Sequence, residues 1–360
     1  MTFTFRQAAR EKIGLLFAIA GASGSGKTMT ALKLAKGIAN GTGRIAVIDT
    51  EAGRALHYAP KPGVPMSEQP NAFEFLHLDF QPPFTPERYV EAIQAATEAG
   101  ATVIVVDSMS HEWAGDGGCA DIQALEAERM AKVSAERSGK NWEYLIDSMT
   151  APAWKKPKIR HKRMVSRLLQ SRVHLIFCMR AEEKIKIVGG KVIPIGFQPV
   201  CEKSWMFEMS GSMTLHPETP GSPRYDLPHK LNDELRGIFV EGERIGDDAG
   251  KRLRLWAETG ADRPALDKAA EGTRELIERI QDAQGEAALR LLTGGGDVVK
   301  QRAWLTKNRP ELADRVTEAV MTAMAVYETG EDDASDPEAA RIAALAGPTV
   351  IPGRTAEVAV

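Results

Sequence analysis

Apolar residues fall into short unbroken runs separated by stretches of helical spacing, and this alternation sets the expected architecture. Ile13 to Ala20 is an uninterrupted run of the kind found in strands buried on both faces. Thr28 to Ile38 follows with Met29, Leu32, Leu34 and Ile38 at helical spacing. Further strands are expected at Arg44 to Asp49, Phe73 to Leu78, Thr102 to Asp107 and Val173 to Cys178, with one more at Ser204 to Met209 extending the sheet. A helix opens at Thr85, with Thr85 as N-cap and Pro86 in its first turn. Residues 119–138 read as a charged helix with Ile122, Leu125, Met130 and Val133 toward the core. Strands separated by helices predict an α/β fold: a mostly parallel sheet flanked by helices, with its ligand at the strands' C-terminal edge.

The domain plan follows from where the pattern changes. Residues 1–12 form an N-terminal arm, 13–240 the α/β core and 241–263 a linker. Residues 264–328 form a small helical domain around Leu276, Ile277, Ile280, Leu289, Leu291, Leu292, Trp304, Leu305, Leu312 and Val316. From 329 to 360 the chain is acidic, rich in Ala and Pro and expected to be disordered.

The junction of the first strand and first helix carries the chemistry. Gly21-Ala22-Ser23-Gly24-Ser25-Gly26-Lys27-Thr28 fits G-x-x-x-x-G-K-[ST] at every fixed position, with Met29 next. A polyphosphate needs many donors converging at close range. Glycines let backbone N–H groups point inward, and the helix start adds its positive field. Lys27 is expected to reach the β/γ-phosphates and Thr28 to hold Mg²⁺. Asp107 ends the most strand-like stretch of the chain and is expected to order the Mg²⁺ shell. Hydrolysis also needs a carboxylate to orient and deprotonate water. Glu51, just past the strand of residues 44–49 that is expected to intervene between the phosphate loop and the Asp107 strand, is the first candidate, with Glu112 as rival. Arg180, at the end of the fifth strand, is placed to sense the γ-phosphate or to meet a neighbouring subunit.

Composition narrows the picture without redirecting it. In 360 residues with a net charge of -3, nucleic-acid binding must come from local patches. The three cysteines show no C-x-x-C pair and no histidine at ligand spacing, which argues for a reducing cytoplasm and against zinc. Arg6, Arg10 and Lys12 before an apolar run mimic a secretory signal, but cleavage there would cut the phosphate loop, and no run approaches a membrane span. Two basic segments stand out. One is the run containing Lys155, Lys156 and Arg160, either a solvated helix start or a track for a nucleic-acid backbone. The other is a hairpin signalled by Gly189-Gly190, where alternation sets Lys184 and Lys186 on one face and Lys191 opens the return strand. It is either an ordinary solvated hairpin or a DNA loop that reports nucleotide state.

Ile48-Asp49-Thr50-Glu51-Ala52, Val103-Ile104-Val105-Val106-Asp107-Ser108 and the Gly21 to Thr28 loop, in this order, resemble the RecA-type recombinase ATPases over about residues 10–215. The resemblance is closest to phage-encoded RecA-like ATPases that assist single-strand annealing and recombination. It implies an ATP- and Mg²⁺-dependent hydrolase with Glu51 as catalytic glutamate, Asp107 as the Mg²⁺-ordering aspartate and the 183–195 hairpin on single-stranded DNA. It also implies a homo-oligomer, ring or filament, and phage recombination proteins as partners. The polar sensor of that family, usually a glutamine after the fifth strand, is replaced by Cys178 and Met179, with Arg180 next to take its role. Phe5-Arg6-Gln7-Ala8 resembles the Phe-x-x-Ala plug by which related recombinases dock onto the next subunit. A nucleotide-gated assembly module with little turnover and a DNA motor remain as alternatives.

Overall fold

The computed structural model describes residues 8, 10–188, 191–260, 268–283 and 285–328. Phe5 to Gln7 of the plug-like motif, the Gly189-Gly190 turn and the acidic tail therefore lie outside the described residues. The chain divides into two units, at Arg263/Pro264.

In the first unit the strands are β1 (Leu16–Gly21), β2 (Ile45–Asp49), β3 (Leu76–Asp79), β4 (Val103–Asp107), β5 (His174–Val188), β6 (Lys191–Pro199) and β7 (Gly211–Leu215). The order across the sheet is β3-β2-β4-β5-β1-β7, and every pair on this path is parallel. β6 pairs antiparallel with the outer half of β5. β1, β2, β4 and β7 are buried along their whole length, which is why most of them read as continuous apolar runs.

The helices of this unit are α1 (Lys27–Ala39), α2 (Pro86–Glu98), α3 (Ser110–Ala114), α4 (Cys119–Ser138), α5 (Ile146–Ala153), α6 (Lys155–Leu168), α7 (Trp205–Glu208), α8 (Asp233–Ile238) and α9 (Asp247–Glu258). Period-2 alternation sorts the strand residues onto two faces. Phe17, Ile19, Val47, Val105 and Ile176 pack under α1 and α9, while Ala18, Ala20, Ile48, Val106 and Phe177 pack under α2, α6 and α7. Among the described residues no helix is long and apolar enough to cross a membrane.

Several expectations change in this frame. The stretch expected as linker, 241–263, holds α9, whose Ala249, Leu253 and Ala257 belong to the core. α9 packs on α1 at backbone contact: a Cβ on Gly37 would lie 2.0 Å from the Asp247 carbonyl, and one on Gly250 would lie 2.4 Å from that of Leu34. Ser204 to Met209 forms α7, not a strand, because one helical turn sends Trp205 and Met209 inward together. The sheet is extended instead by β7. The third strand starts at Leu76, and as the edge strand it leaves Leu76 and Leu78 exposed. On α4 the buried stripe is Cys119, Ile122, Gln123, Glu126, Ala127 and Ala131, and Leu125 faces outward. Gln123 can be buried because its amide donates to the Thr150 carbonyl at 2.8 Å.

The second unit holds α10 (Lys268–Gln281), α11 (Glu286–Gly294), α12 (Gly296–Asn308) and α13 (Pro310–Glu328). They close around Leu276, Ile280, Leu289, Val298, Leu305, Leu312 and Val316. Leu291 and Trp304, expected in this core, are exposed.

Candidate nucleotide site

β1 delivers the chain to α1 through residues 22–26. Gly24 and Gly26 sit at φ 79° and 83°, a left-handed conformation that a side chain would strain. Gly26 is the N-cap of α1 and no side chain caps the helix, so the first amides of α1 are not engaged by a cap. The loop is braced from outside: Gly221 N–H donates to the Ser25 carbonyl at 3.0 Å, and Ile245 N–H donates to that of Gly221 at 2.9 Å. Ser25 is buried, Ala22 half-buried, Ser23 exposed, and Met29 packs on the core. The Lys27 ammonium folds over the loop and donates to the Ala22 carbonyl at 3.0 Å.

Asp107 lies across from this loop. Its Oδ2 accepts a 2.5 Å hydrogen bond from the Thr28 hydroxyl. Burial raises the Asp107 pKa, the charges of Glu51 and Asp49 push the same way, and the Thr28 bond and the Lys27 charge oppose them. A buried carboxylate among other carboxylates, touching a hydroxyl, is a donor set of hard oxygens that suits Mg²⁺.

The strand set between the loop and Asp107 is β5, not the strand of residues 44–49 expected to intervene there, which pairs on the other side of β4. Gly21 registers with Arg180, and Asp107 with Cys178 on one side and Asp49 on the other. β2 thus flanks Asp107 on its far side and still brings Glu51 to the same edge. The turn after β2 is built by Asp49, whose carboxylate accepts from Glu51 N–H at 2.7 Å and Ala55 N–H at 2.9 Å and contacts His77 Nε2 at 3.2 Å. Ala52 and Gly53 follow with positive φ.

Glu51 is mostly buried and ringed by positive or polarisable groups. Arg180 donates to its Oε1 from Nε at 3.1 Å and from a terminal nitrogen at 2.7 Å. Arg54 donates to Oε2 at 3.2 Å, and His111 Nε2 stands 3.9 Å from Oε1. Backbone contacts lock this edge together. Arg180 N–H donates to the Ser110 hydroxyl at 2.9 Å, Ser108 N–H donates to the Thr50 hydroxyl at 2.7 Å, and that hydroxyl lies 2.6 Å from His111 Nδ1. Burial and the Arg180 charge lower the His111 pKa against the pull of Glu51, which favours the neutral imidazole. His111, Asp49 and Tyr58 were not among the sequence candidates. Tyr58 lies within electrostatic reach of Asp107, which adds to burial in raising its phenol pKa. Glu112 points elsewhere, its carboxylate in contact with Cys119 and His161.

The basic residues divide. On α6, Lys156 pairs with Glu126 at 2.8 Å and Arg160 grips Glu87 through bonds of 2.8 and 2.6 Å, so both are engaged within the fold; Lys155 opens the helix. Lys184 and Lys186 are exposed on β5 beyond the sheet, and Lys191 opens β6, its side chain outside the described residues. β5 is one continuous strand: it leaves its parallel partner at Arg180 and enters the hairpin at Ala181, paired with Pro199. β6 carries one extra residue, Ile195, opposite Lys184 and Ile185.

A glycine loop at the head of α1, facing a buried strand-end aspartate bonded to the first-turn threonine, defines a P-loop nucleotide-binding protein with an α/β core. A family model described as AAA domain matches residues 13–195, half of the chain, and the chain belongs to that family. The domain is of the P-loop ATPase class. Among solved structures, the crystal structure of the RadB recombinase is similar at 17% identity, covering 57% of this chain and 76% of that one, with a TM-score of 0.31. No curated protein matches the chain.

Proposed function

We propose that the protein is a Mg²⁺-dependent ATPase of phage or prophage type that binds single-stranded DNA, works as a homo-oligomer and supports homologous recombination or strand annealing. The observation that carries the reading is the path of β5, which runs from the Arg180 grip on Glu51 straight into the exposed Lys184/Lys186 hairpin.

The loop amides and Lys27 would bind the triphosphate, with Thr28 and Asp107 holding Mg²⁺. When bound, that ion neutralises charge on the β- and γ-phosphate oxygens. Glu51 then accepts a proton from a water whose oxygen bonds to the γ-phosphorus as the bond from phosphorus to the β–γ bridging oxygen breaks. In the resting arrangement Arg180 restrains that carboxylate. A γ-phosphate oxygen competes with Glu51 for the guanidinium, so arrival of the triphosphate frees the base and pulls on β5. His111 and Arg54 keep Glu51 oriented meanwhile. Because the same strand continues into the hairpin, DNA held on Lys184 and Lys186 shifts the same contact in return.

The test is ATP hydrolysis with and without single-stranded DNA across a salt series. DNA should stimulate turnover, and the stimulation should fade as salt rises. Turnover indifferent to DNA at low salt would remove the nucleic-acid half of the reading. A second reading, a nucleotide-gated assembly module with negligible turnover, draws on the double arginine restraint of Glu51. Prompt phosphate release in a single turnover would eliminate it.

A further inference from the structure

On the face of the sheet opposite α1, three side chains with metal-binding atoms meet in the interior. Glu112 of α3, Cys119 of α4 and His161 of α6 are 1%, 0% and 3% exposed. The Cys119 thiol donates to Glu112 Oε1 at 3.1 Å, and His161 Nδ1 lies 3.0 and 3.1 Å from the two carboxylate oxygens. One ligand atom from each residue lies within 4.8 Å of the others. The His161 ring stands edge-on to Trp113 at 5.9 Å and tilted on Trp205 at 5.5 Å, and its Nε2 is buried without a hydrogen-bond partner. Nothing in the nucleotide chemistry uses this cluster.

We propose that Glu112, Cys119 and His161 form a structural site for a divalent transition metal of the zinc class, supplying a carboxylate oxygen, a thiolate sulfur and an imidazole nitrogen as three of its ligands. The mixed sulfur, nitrogen and oxygen set suits zinc and disfavours Mg²⁺, whereas Thr28 and Asp107 offer oxygen alone. The geometry is close to what is needed. Tetrahedral ligation sets neighbouring ligand atoms about 3.3–3.6 Å apart, so the Cys119–Glu112 and His161–Glu112 contacts would open by a few tenths of an ångström, while the Cys119 and His161 ligand atoms already lie within 4.8 Å of each other. Charge also balances: a thiolate and a carboxylate cancel a dication, and the thiol proton leaves on binding.

The site would fasten α3 to α4 and α6. Ser110 and His111, which bond Arg180 and Thr50 at the nucleotide edge, precede Glu112 on the same short helix. The ion would therefore set the rigidity of the Glu51 surroundings without touching nucleotide.

The full chain, purified without a histidine tag, is unfolded under reducing conditions and refolded with one equivalent of Zn²⁺ or Co²⁺ in excess Mg²⁺, then dialysed. One ion per chain should remain, and the Co²⁺ form should show thiolate-to-cobalt charge transfer together with tetrahedral d–d bands. Cys119→Ser should abolish the charge-transfer band, His161→Gln should weaken retention at least about tenfold, and Asp107→Asn should leave retention unchanged. Wild-type chain that refolds by circular dichroism yet keeps neither ion, or keeps cobalt without a thiolate band, overturns the site. That wild-type spectrum decides the matter even if a variant fails to fold, and it is independent of whether the protein hydrolyses ATP.

Discussion

At the scale of single residues, the phosphate loop is legible because its chemistry is local: glycine φ angles, a lysine and a threonine at fixed offsets. Replacing Lys27 with Ala is expected to weaken ATP binding about 100-fold, the size of a charged hydrogen bond, measured by fluorescent-nucleotide titration. Arg180→Ala should leave that affinity within a few-fold, since in the wild type the guanidinium gives up Glu51 as it gains the γ-phosphate, and slow single-turnover hydrolysis about 100-fold, since that contact strengthens as charge develops at the γ-phosphate. Unchanged hydrolysis would leave Arg180 as a restraint on Glu51 and nothing more. His111 and Asp49 were not legible, because their value lies in contacts to Thr50 and to the Glu51 and Ala55 amides that tertiary folding brings about. The Glu112, Cys119 and His161 cluster was hidden for the same reason. Its members are too far apart in the chain to resemble a metal motif, and the absence of one argued against zinc.

Among the elements, the buried parallel strands announce themselves through runs such as Val103 to Val106, since both faces of each are covered. Elements with one covered face were harder to read. α9 looks like a charged linker, yet its Ala249, Leu253 and Ala257 belong to the same core as α1. The basic run on α6 also has a role inside the fold: its Arg160 ties α6 to α2 through Glu87. Burial alone would raise the Glu87 pKa, but the Arg160 bonds and charge overcome it and hold the carboxyl below its usual value. A lowered carboxylate pKa stabilises the fold above the unfolded value and loses that contribution as pH falls through the folded one. Arg160→Ala should thus cost about 0.5–1 kcal/mol in urea unfolding at neutral pH, as expected for a half-exposed pair. The gap from wild type should begin to narrow as pH falls past the ordinary glutamate value of about 4.3 and close only below the lowered folded one.

At the scale of the whole molecule, strand order was the least legible feature. Order along the chain is not order in space, and β5, fifth in sequence, is the strand that separates the phosphate loop from Asp107. In the proposed mechanism that placement would join hydrolysis to the hairpin. Changing Lys184 and Lys186 together to Ala is expected to lower the salt dependence of single-stranded DNA binding by about 1.4 in logarithmic slope, about 0.7 for each lost phosphate contact. DNA-free turnover should stay near wild type; loss of both activities would indicate a misfolded hairpin. The account as a whole rests on a triphosphate held at the head of α1 and cleaved with help from Glu51. Its most direct test is single-turnover ATP hydrolysis by wild type and Glu51→Gln, with nucleotide binding measured on the same samples. Equal binding is expected, with hydrolysis reduced about 100-fold or more in the variant; a Glu51→Gln protein that cleaves ATP at the wild-type rate would show that another group takes the proton.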